Sequence, residues 1–256
     1  MLAFLPGLAA PAVRAQPETP ARDFSLHNGW SLFGEYSPDS THLFLGISQD
    51  RQFFSLGLAY HHRLLLNRVW QLSWTPEVRP FMVESDPVLT AENYNVCIFP
   101  DGNANQPCTP LSGYAKFIPH QPVLNATPAT WSATGSIGGQ PYYENYTYYC
   151  SRRWTWVPGL SPIGFQGDFF PRSSIQPLLE LSGGFAAAAR DIPLFDTSAF
   201  NFTFSFGAGV RMFRSLTHAT EIEFRVQHFS NGYLGTANDP GIDSRMVRMS
   251  YVWGSR

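Results

Sequence analysis

The segment AFNFTFSFGAGVRMF, residues 199–213, decides the fold class because its two faces differ from end to end. The apolar positions are Phe200, Phe202, Phe204, Phe206, Ala208, Val210 and Met212. The positions between them are Asn201, Thr203, Ser205, Gly207, Gly209 and Arg211. A period of two residues is typical of a β-strand whose faces meet different surroundings. This segment therefore predicts a strand with one greasy face and one polar or small face.

The same alternation recurs along the chain, and no helical period of comparable length competes with it. Further examples are FFSLGLAYH at 53–61, SIQPLLELSGGF at 174–185 and SRMVRMSYVW at 244–253. The pattern predicts eight strands, at 28–37, 52–64, 68–84, 159–170, 174–189, 199–213, 217–231 and 243–253. The fourth is the weakest, because Pro162 interrupts it. THLFLGIS, at 41–48, is a rival strand that we assign to the first outer loop.

The polar faces carry Ser, Thr, Gly, Gln and matched Glu and Arg, which suits the narrow interior of a barrel better than a surface in water. Strands of about ten residues are long enough to cross a bilayer when tilted, and closure removes the edges that lipid does not tolerate. We predict an all-β protein, an eight-stranded antiparallel transmembrane β-barrel with a long loop insertion at 85–158. A soluble lipocalin-like barrel, with the greasy face inward, is the alternative.

Composition supports this class. The chain has 256 residues, 15% of them aromatic and 14% charged, and its net charge is −2. A balance so close to neutral argues against nucleic acid as a partner, because phosphate binding needs a basic face. The chain has no run of about 18 apolar residues after the N-terminus, so we expect no transmembrane helix.

Residues 1–15 resemble the remains of a secretion signal, with Val13-Arg14-Ala15 as a small-x-small cleavage pattern, and leave 16–256 for the barrel. Export combined with a barrel predicts the outer membrane of a bacterial cell. The three cysteines are Cys97, Cys108 and Cys150. A Cys97–Cys108 disulfide would close a short loop and leave one free thiol. The spacing has no accompanying histidines that would make a zinc site, so we expect no metal, and we expect no cofactor.

A candidate site lies at the end of HATEIEFRVQHFS, residues 218–230. Ile222 and Phe224 mark its greasy face, and the same parity places His228 and Ser230 on that face. Counting back along the next strand places Asp243 there too. A charge at mid-bilayer would cost about 2–4 kcal/mol and close to nothing at the interface. The three side chains are therefore expected on the outer wall, where the barrel leaves the membrane.

These residue types suit nucleophilic catalysis. A serine hydroxyl is a weak nucleophile until an imidazole takes its proton, and a carboxylate on the other imidazole nitrogen fixes the tautomer and balances the charge. Asn231 and the amide of Gly232 are candidates for binding an oxyanion. The alternative is that these residues have no catalytic role, because His-x-Ser is a common sequence and Ser-Asn-Gly is common in turns. The residues alone leave both open.

The segment HFSNGYLGTANDPGIDS, residues 228–244, resembles the signature of the outer-membrane lipid A 3-O-deacylases of the PagL type. In that signature His-x-Ser-Asn is followed by Asn-x-Gly-Ile and an acid. The resemblance implies an eight-stranded barrel with its active site on the lipid-facing exterior. It also implies a serine esterase with Ser230 as nucleophile, His228 as general base, Asp243 as the third member and Asn231 helping to hold the oxyanion.

Two features depart from the family pattern. Well-known members carry Glu at the acid position, where this chain has the shorter Asp243, and the loop has an extra residue around Pro240. The implied substrate is lipid A of lipopolysaccharide in the outer membrane, and the oligomeric state stays open, with a dimer among the alternatives. The rival function is that of a non-catalytic small barrel that acts in adhesion or envelope structure through its long loop.

Overall fold

The computed structural model describes residues 23–98, 109–110, 121–122, 130–137, 140–194, 197–234 and 239–256, and within 89–150 it describes the backbone alone. These residues form strands and connecting loops. None of them forms a helix long and apolar enough to cross a membrane. The strands are β1 (Asn28–Ser37), β2 (Gln52–Leu66), β3 (Trp70–Trp74), β4 (Glu77–Ile98), β5 (Thr109–Pro110), β6 (Gln121–Pro122), β7 (Thr130–Ile137), β8 (Gln140–Trp156), β9 (Gly159–Phe169), β10 (Ile175–Ile192), β11 (Ser198–Phe213), β12 (His218–Ser230) and β13 (Ile242–Ser255).

The strands close into a ring because β1 pairs antiparallel with both β2 and β13. From β13 the ring continues through β12, β11, β10 and β9, which pairs with β3 and with the start of β4. β3 and β4 are two parts of one barrel strand that is broken at Pro76, whose nitrogen has no hydrogen to donate to a ladder. Counted this way the ring has eight strands at the predicted places, and the weakest prediction is confirmed as β9.

The barrel has an apolar exterior and a polar interior. The four phenylalanines of β11 that decided the fold, Phe200, Phe202, Phe204 and Phe206, are between 41% and 51% exposed. The side chains predicted inside, Glu221, Glu223 and Arg225, are buried. This arrangement confirms the predicted barrel and is the reverse of the lipocalin-like alternative. A greasy outer wall is typical of barrels that cross a bilayer.

Ion pairs fill the middle of the interior. Arg225 lies 2.5 Å from Glu180 and 3.3 Å from Glu223. Arg225 also contacts Glu77 at 3.1 Å, and Arg248 pairs with the same carboxylate. Buried charges need such partners, because each is removed from water.

An apolar cluster closes the barrel interior beneath the loops of one end. Its fully buried members are Phe53, Met82, Val157, Ala186, Ile192, Phe229, Ile242 and Met246. The cluster includes one residue of β12 and two of β13, so it fixes the strands that carry the candidate site.

The structure corrects the prediction that 85–158 is irregular. β4 runs on to Ile98 and pairs with β8 from Val83↔Trp156 to Ile98↔Tyr142, and β7 pairs with the other side of β8. The sequence YYENYTYYC at 142–150 is rich in residues that favour strands. It has no greasy face alternating with a polar one, so a search for period two passes over it. Cys97 lies opposite Tyr143 on this ladder.

Two predictions fall on residues outside the described ranges. The signal remnant lies within 1–22, and Cys108 lies within 101–108, so the proposed disulfide stays a prediction. The described strands do fix the arrangement of the loops. Since neighbouring strands are antiparallel, the β1–β2 loop, the 85–158 insertion and the β12–β13 loop emerge at one end, and residues 23 and 256 lie toward the other.

Candidate functional site

The inward packing of Phe229 orients the two residues on either side of it. Its ring is fully buried and stacks on Phe53 with the centroids 4.8 Å apart and the planes 8° from parallel. Successive side chains of a strand point to opposite faces. His228 and Ser230 therefore project from the outer wall, as the sequence predicted. A shift of the β12 register by one residue would turn the Phe229 ring out of the interior, so the burial of this ring fixes the register.

His228 and Asp243 face each other across the β12–β13 ladder. Nδ1 of His228 lies 2.6 Å from Oδ1 of Asp243. Because an ionised carboxylate only accepts hydrogen bonds, this contact assigns the proton to Nδ1 and leaves Nε2 as an acceptor. The pair thus has the tautomer that a general base requires.

The first outer loop covers Asp243 and makes it fully buried, although its side chain is on the outer face of the barrel. Oδ2 accepts hydrogen bonds from the backbone N–H groups of Leu43 at 3.1 Å, Phe44 at 2.6 Å and Gly46 at 3.1 Å. Three such donors stabilise the ionised carboxylate and fix its position. A Cβ added to Gly46 would lie 2.5 Å from the backbone nitrogen of Asp243, so only glycine allows this close approach.

Sequence reasoning placed THLFLGIS in an outer loop and missed this role for it. The loop is also joined to the opposite side of the site, because the N–H of Ile47 donates to the carbonyl of Pro240 at 2.7 Å. The available signal was composition: LFL is unusually apolar for an outer loop, which indicates that the segment covers or extends a greasy surface.

The hydroxyl of Ser230 is held by a residue that sequence reasoning did not single out. It donates to Oδ2 of Asp239 at 2.5 Å and accepts from the N–H of Gly232 at 3.1 Å. Within the part of the chain that the structure describes, no hydrogen bond joins Ser230 to His228. The histidine and the acid are hydrogen-bonded to each other, whereas the serine is turned toward the β12–β13 loop.

The two predicted oxyanion residues form the turn that follows Ser230. Gly232 has a φ of +62°, a backbone conformation that glycine adopts at little cost. The side chain of Asn231 is buried, and its Oδ1 accepts from the N–H of Tyr233 at 2.8 Å. Asn231 thereby shapes the turn, and the turn directs the N–H of Gly232 at the serine.

Two adjoining cavities meet at His228. The first, of about 470 Å³, is apolar and lies between the first outer loop and β11, lined by Phe44, Leu45, Phe204, Phe206 and His228. The second, of about 280 Å³, is more polar and is lined by Leu45, His228, Ser230, Gly232, Tyr233, Asp239 and Gly241. An apolar groove that leads to a histidine and a serine suits an ester with a long acyl chain.

The family comparison agrees with this geometry. The model of the lipid A 3-O-deacylase (PagL) family matches residues 120–252, just over half of the chain. The chain belongs to the PagL family.

The other comparisons add little to that assignment. No curated protein matches the chain. Among solved structures, a crystal structure of an outer-membrane channel from Pseudomonas putida F1 is 9% identical, with 96% of this chain and 99% of that chain covered. Its TM-score of 0.28 is too low to support any inference about this protein.

The PagL match includes the two strands that carry His228, Ser230 and Asp243 and the loop between them, and it ends before the last residues of β13. It does not include the first outer loop. Leu43, Phe44 and Gly46, which donate to the acid, therefore lie outside the matched range.

Proposed function

We propose that this PagL-family protein hydrolyses the acyl ester at the 3-position of lipid A at the surface of the bacterial outer membrane. The observation that carries the proposal is the 2.6 Å contact between His228 Nδ1 and Asp243 Oδ1, with Ser230 two residues away on the same greasy outer face. A group of hydrogen-bonded polar side chains on the greasy outer face is unexpected without a function, even at the rim of the barrel, where its cost in free energy is small.

In the acylation step the Ser230 oxygen attacks the ester carbonyl carbon while Nε2 of His228 takes the hydroxyl proton. Asp243 stabilises the imidazolium and keeps the ring oriented. The tetrahedral intermediate collapses, the bond to the 3-oxygen of the sugar breaks, and His228 returns the proton to that oxygen. The products of this step are an acyl-serine and a 3-hydroxyl on lipid A.

Water then attacks the acyl-serine, with Nε2 of His228 as the base. The second tetrahedral intermediate releases a free fatty acid and restores the Ser230 hydroxyl. In both intermediates the negative oxygen is positioned to accept from the N–H of Gly232, which already lies 3.1 Å from the serine oxygen. A preorganised backbone donor of this kind typically contributes about a hundred- to a thousandfold in rate.

The apolar groove supports a substrate with a long acyl chain. Phe204 lies opposite His228 on the β11–β12 ladder, and Phe44 contacts Phe206 edge to face with the centroids 5.6 Å apart. The chain of the substrate would pass between these rings with its ester next to His228. The open side of the groove faces the lipid region, so a lipid could enter without leaving the membrane.

The proposed topology follows from the position of the site. Lipid A occupies the outer leaflet, so the end with the β12–β13 loop faces the medium and both termini face the periplasm. The 85–158 insertion emerges at the same end and is then also outside. Protease cleavage of a tag inserted near Gly138 on intact cells tests this orientation.

The function is tested by mass spectrometry of lipid A from cells that express the wild type, Ser230→Ala, His228→Ala or a control. Ser215→Ala is a matched control, because Ser215 lies in the turn at the far end of the barrel. Wild type and control should remove one 3-hydroxyacyl chain, and the two site variants should not. Heat-modifiable migration verifies that each barrel is folded. Absence of deacylation by a folded wild type, with no substitution in the site that restores it, would favour the non-catalytic barrel.

A further inference from the structure

Asp239 occupies the place where the reaction needs an empty oxyanion site. Its Oδ2 accepts from the Ser230 hydroxyl at 2.5 Å and from the N–H of Gly232 at 2.9 Å, and its Oδ1 accepts from the N–H of Asn231 at 3.2 Å. The catalytic hydroxyl and the candidate oxyanion donor are thus both bound to one carboxylate of the same chain.

We infer that Asp239 is an internal inhibitor, whose carboxylate fills the oxyanion site in the resting protein and is displaced when an ester binds. The inference rests on the proposed function, because it concerns the same serine. It assigns to the site a second ligand class, carboxylates, of which the fatty acid product is one.

Two physical effects make the resting arrangement inactive. The Ser230 hydroxyl has one proton, and that proton points to Asp239 rather than to Nε2 of His228, so the base cannot take it. The N–H of Gly232 donates to a full negative charge, and hydrogen bonds to ionised acceptors are about twice as strong as neutral ones. An ester carbonyl, which is neutral before attack, must replace that charge.

Displacement requires little movement of the backbone. The carbonyl of Pro240 accepts from Ile47 at 2.7 Å, and the carbonyl of Gly241 accepts from Ser48 at 3.2 Å, so the chain just after Asp239 is attached to the first outer loop. The side chain of Asp239 is only partly buried. Rotation of this side chain toward the solvent would free all three donors while the loop keeps its place.

The same donors would bind the carboxylate of the released fatty acid. The product's alkyl chain lies in the apolar groove beside His228, and its carboxylate can occupy the position that Asp239 leaves. In the wild type the internal carboxylate competes with the product. Removing Asp239 should therefore accelerate turnover and also expose the site to inhibition by free fatty acid.

The experiment compares purified, detergent-solubilised wild type, Asp239→Ala, Asp239→Asn and a matched control, Asp191→Asn, whose carboxylate lies at the same end of the barrel on β10. Initial rates are measured on lipid A, alone and with a saturated 3-hydroxy fatty acid or its methyl ester. Asn keeps the shape of the Asp239 side chain and removes its charge. Asp239→Asn therefore shows the effect of losing the charge without the change in loop structure that a smaller side chain could cause. Heat-modifiable migration monitors folding.

We expect kcat/KM to rise about tenfold in Asp239→Ala, which corresponds to a site that is blocked in roughly nine resting molecules of ten. The kcat/KM of Asp239→Asn should lie between those of the wild type and Asp239→Ala, and the kcat/KM of the control Asp191→Asn should equal that of the wild type. The fatty acid should inhibit Asp239→Ala at about one tenth of the concentration needed for the wild type, because the competing carboxylate is gone. The methyl ester must displace the same carboxylate, so it should also bind Asp239→Ala about ten times better, but it should inhibit less than the acid because its neutral carbonyl accepts weaker hydrogen bonds.

Each alternative outcome is decisive. Folded Asp239 variants that are slower than an active wild type, or equal to it, overturn the inference and leave the proposed function intact. An inactive wild type with an active Asp239→Ala supports the inference in its strongest form. Folded wild type and variants that are all inactive overturn the proposed function and the inference with it.

Discussion

Replacing Gly46 with alanine should impair catalysis from a position that touches no substrate. The added Cβ would lie 2.5 Å from the nitrogen of Asp243 and 2.7 Å from the carbonyl carbon of Ile242. Ordinary contacts of this kind begin near 3.4 Å, so the loop must retreat by nearly an ångström. The N–H of Gly46, now 3.1 Å from Oδ2, would then lose its hydrogen bond to the acid.

The size of the effect follows from what the carboxylate does. A hydrogen bond to a charged group contributes about 1.5–3 kcal/mol, and the same free energy lost from the transition state lowers the rate roughly ten- to a hundredfold. We expect kcat/KM to fall by at least that factor, because Phe44 and Leu45 of the retreating loop also line the acyl groove. Global stability should be nearly unaffected, since the barrel strands keep their packing.

The assay is initial-rate kinetics on lipid A in detergent, with Gly167→Ala as the control. A Cβ at Gly167 would meet its nearest neighbour at 4.0 Å, so this alanine fits without movement. The control should keep wild-type kcat/KM. If Gly46→Ala also keeps it, the first outer loop does not position the acid and the reasoning is refuted.

Substitutions at three further positions test the acid, the acyl groove and the barrel interior. Asp243→Asn should lower kcat about a hundredfold or more, because the amide cannot balance the charge of the imidazolium. Asp243→Glu should also be less active than the wild type, because the buried site has no space for a further methylene. The kcat of each folded variant checks both. Phe204→Ala should lower kcat/KM roughly ten- to a hundredfold, because it removes apolar contact with the acyl chain worth about 1.5–3 kcal/mol. Phe200→Ala, on the same face but outside the groove, should leave kcat/KM unchanged. Equal losses in the two variants would contradict acyl-chain binding in the groove. Arg225→Met should lower the free energy of unfolding in urea by about 3–5 kcal/mol, because it removes the nearest cationic partner of Glu180 and Glu223 inside the barrel, and an unchanged midpoint would contradict that role.

The barrel could be predicted from the sequence because lipid and the polar interior impose opposite demands on alternate residues. Because of that contrast, the phenylalanines of β11 were enough to predict the strand and its outer face. The same alternation on β12 predicted that His228 and Ser230 lie on the outer face. Where the contrast ends, prediction failed: β8 was taken as irregular because its sequence has no alternation, although its ladder with β4 is continuous with the barrel.

The contacts that complete the site were beyond sequence reasoning for a different reason. The bonds from Leu43, Phe44 and Gly46 to Asp243 join residues about two hundred positions apart, and they exist only because ring closure places β1 beside β13. The Ser230–Asp239 bond depends on how a short loop folds back on itself. Neither the period of a strand nor the residues of a motif specify these distances.

Covalent trapping of the serine tests the central claim most directly. A long-chain fluorophosphonate forms an irreversible bond to an activated serine oxygen, with loss of fluoride, and peptide mass spectrometry locates it. We expect one phosphonyl group per molecule, on Ser230, and loss of lipid A deacylation in proportion to labelling. Full deacylation by a protein that is completely labelled at Ser230, or inactivation with the label elsewhere, would contradict it.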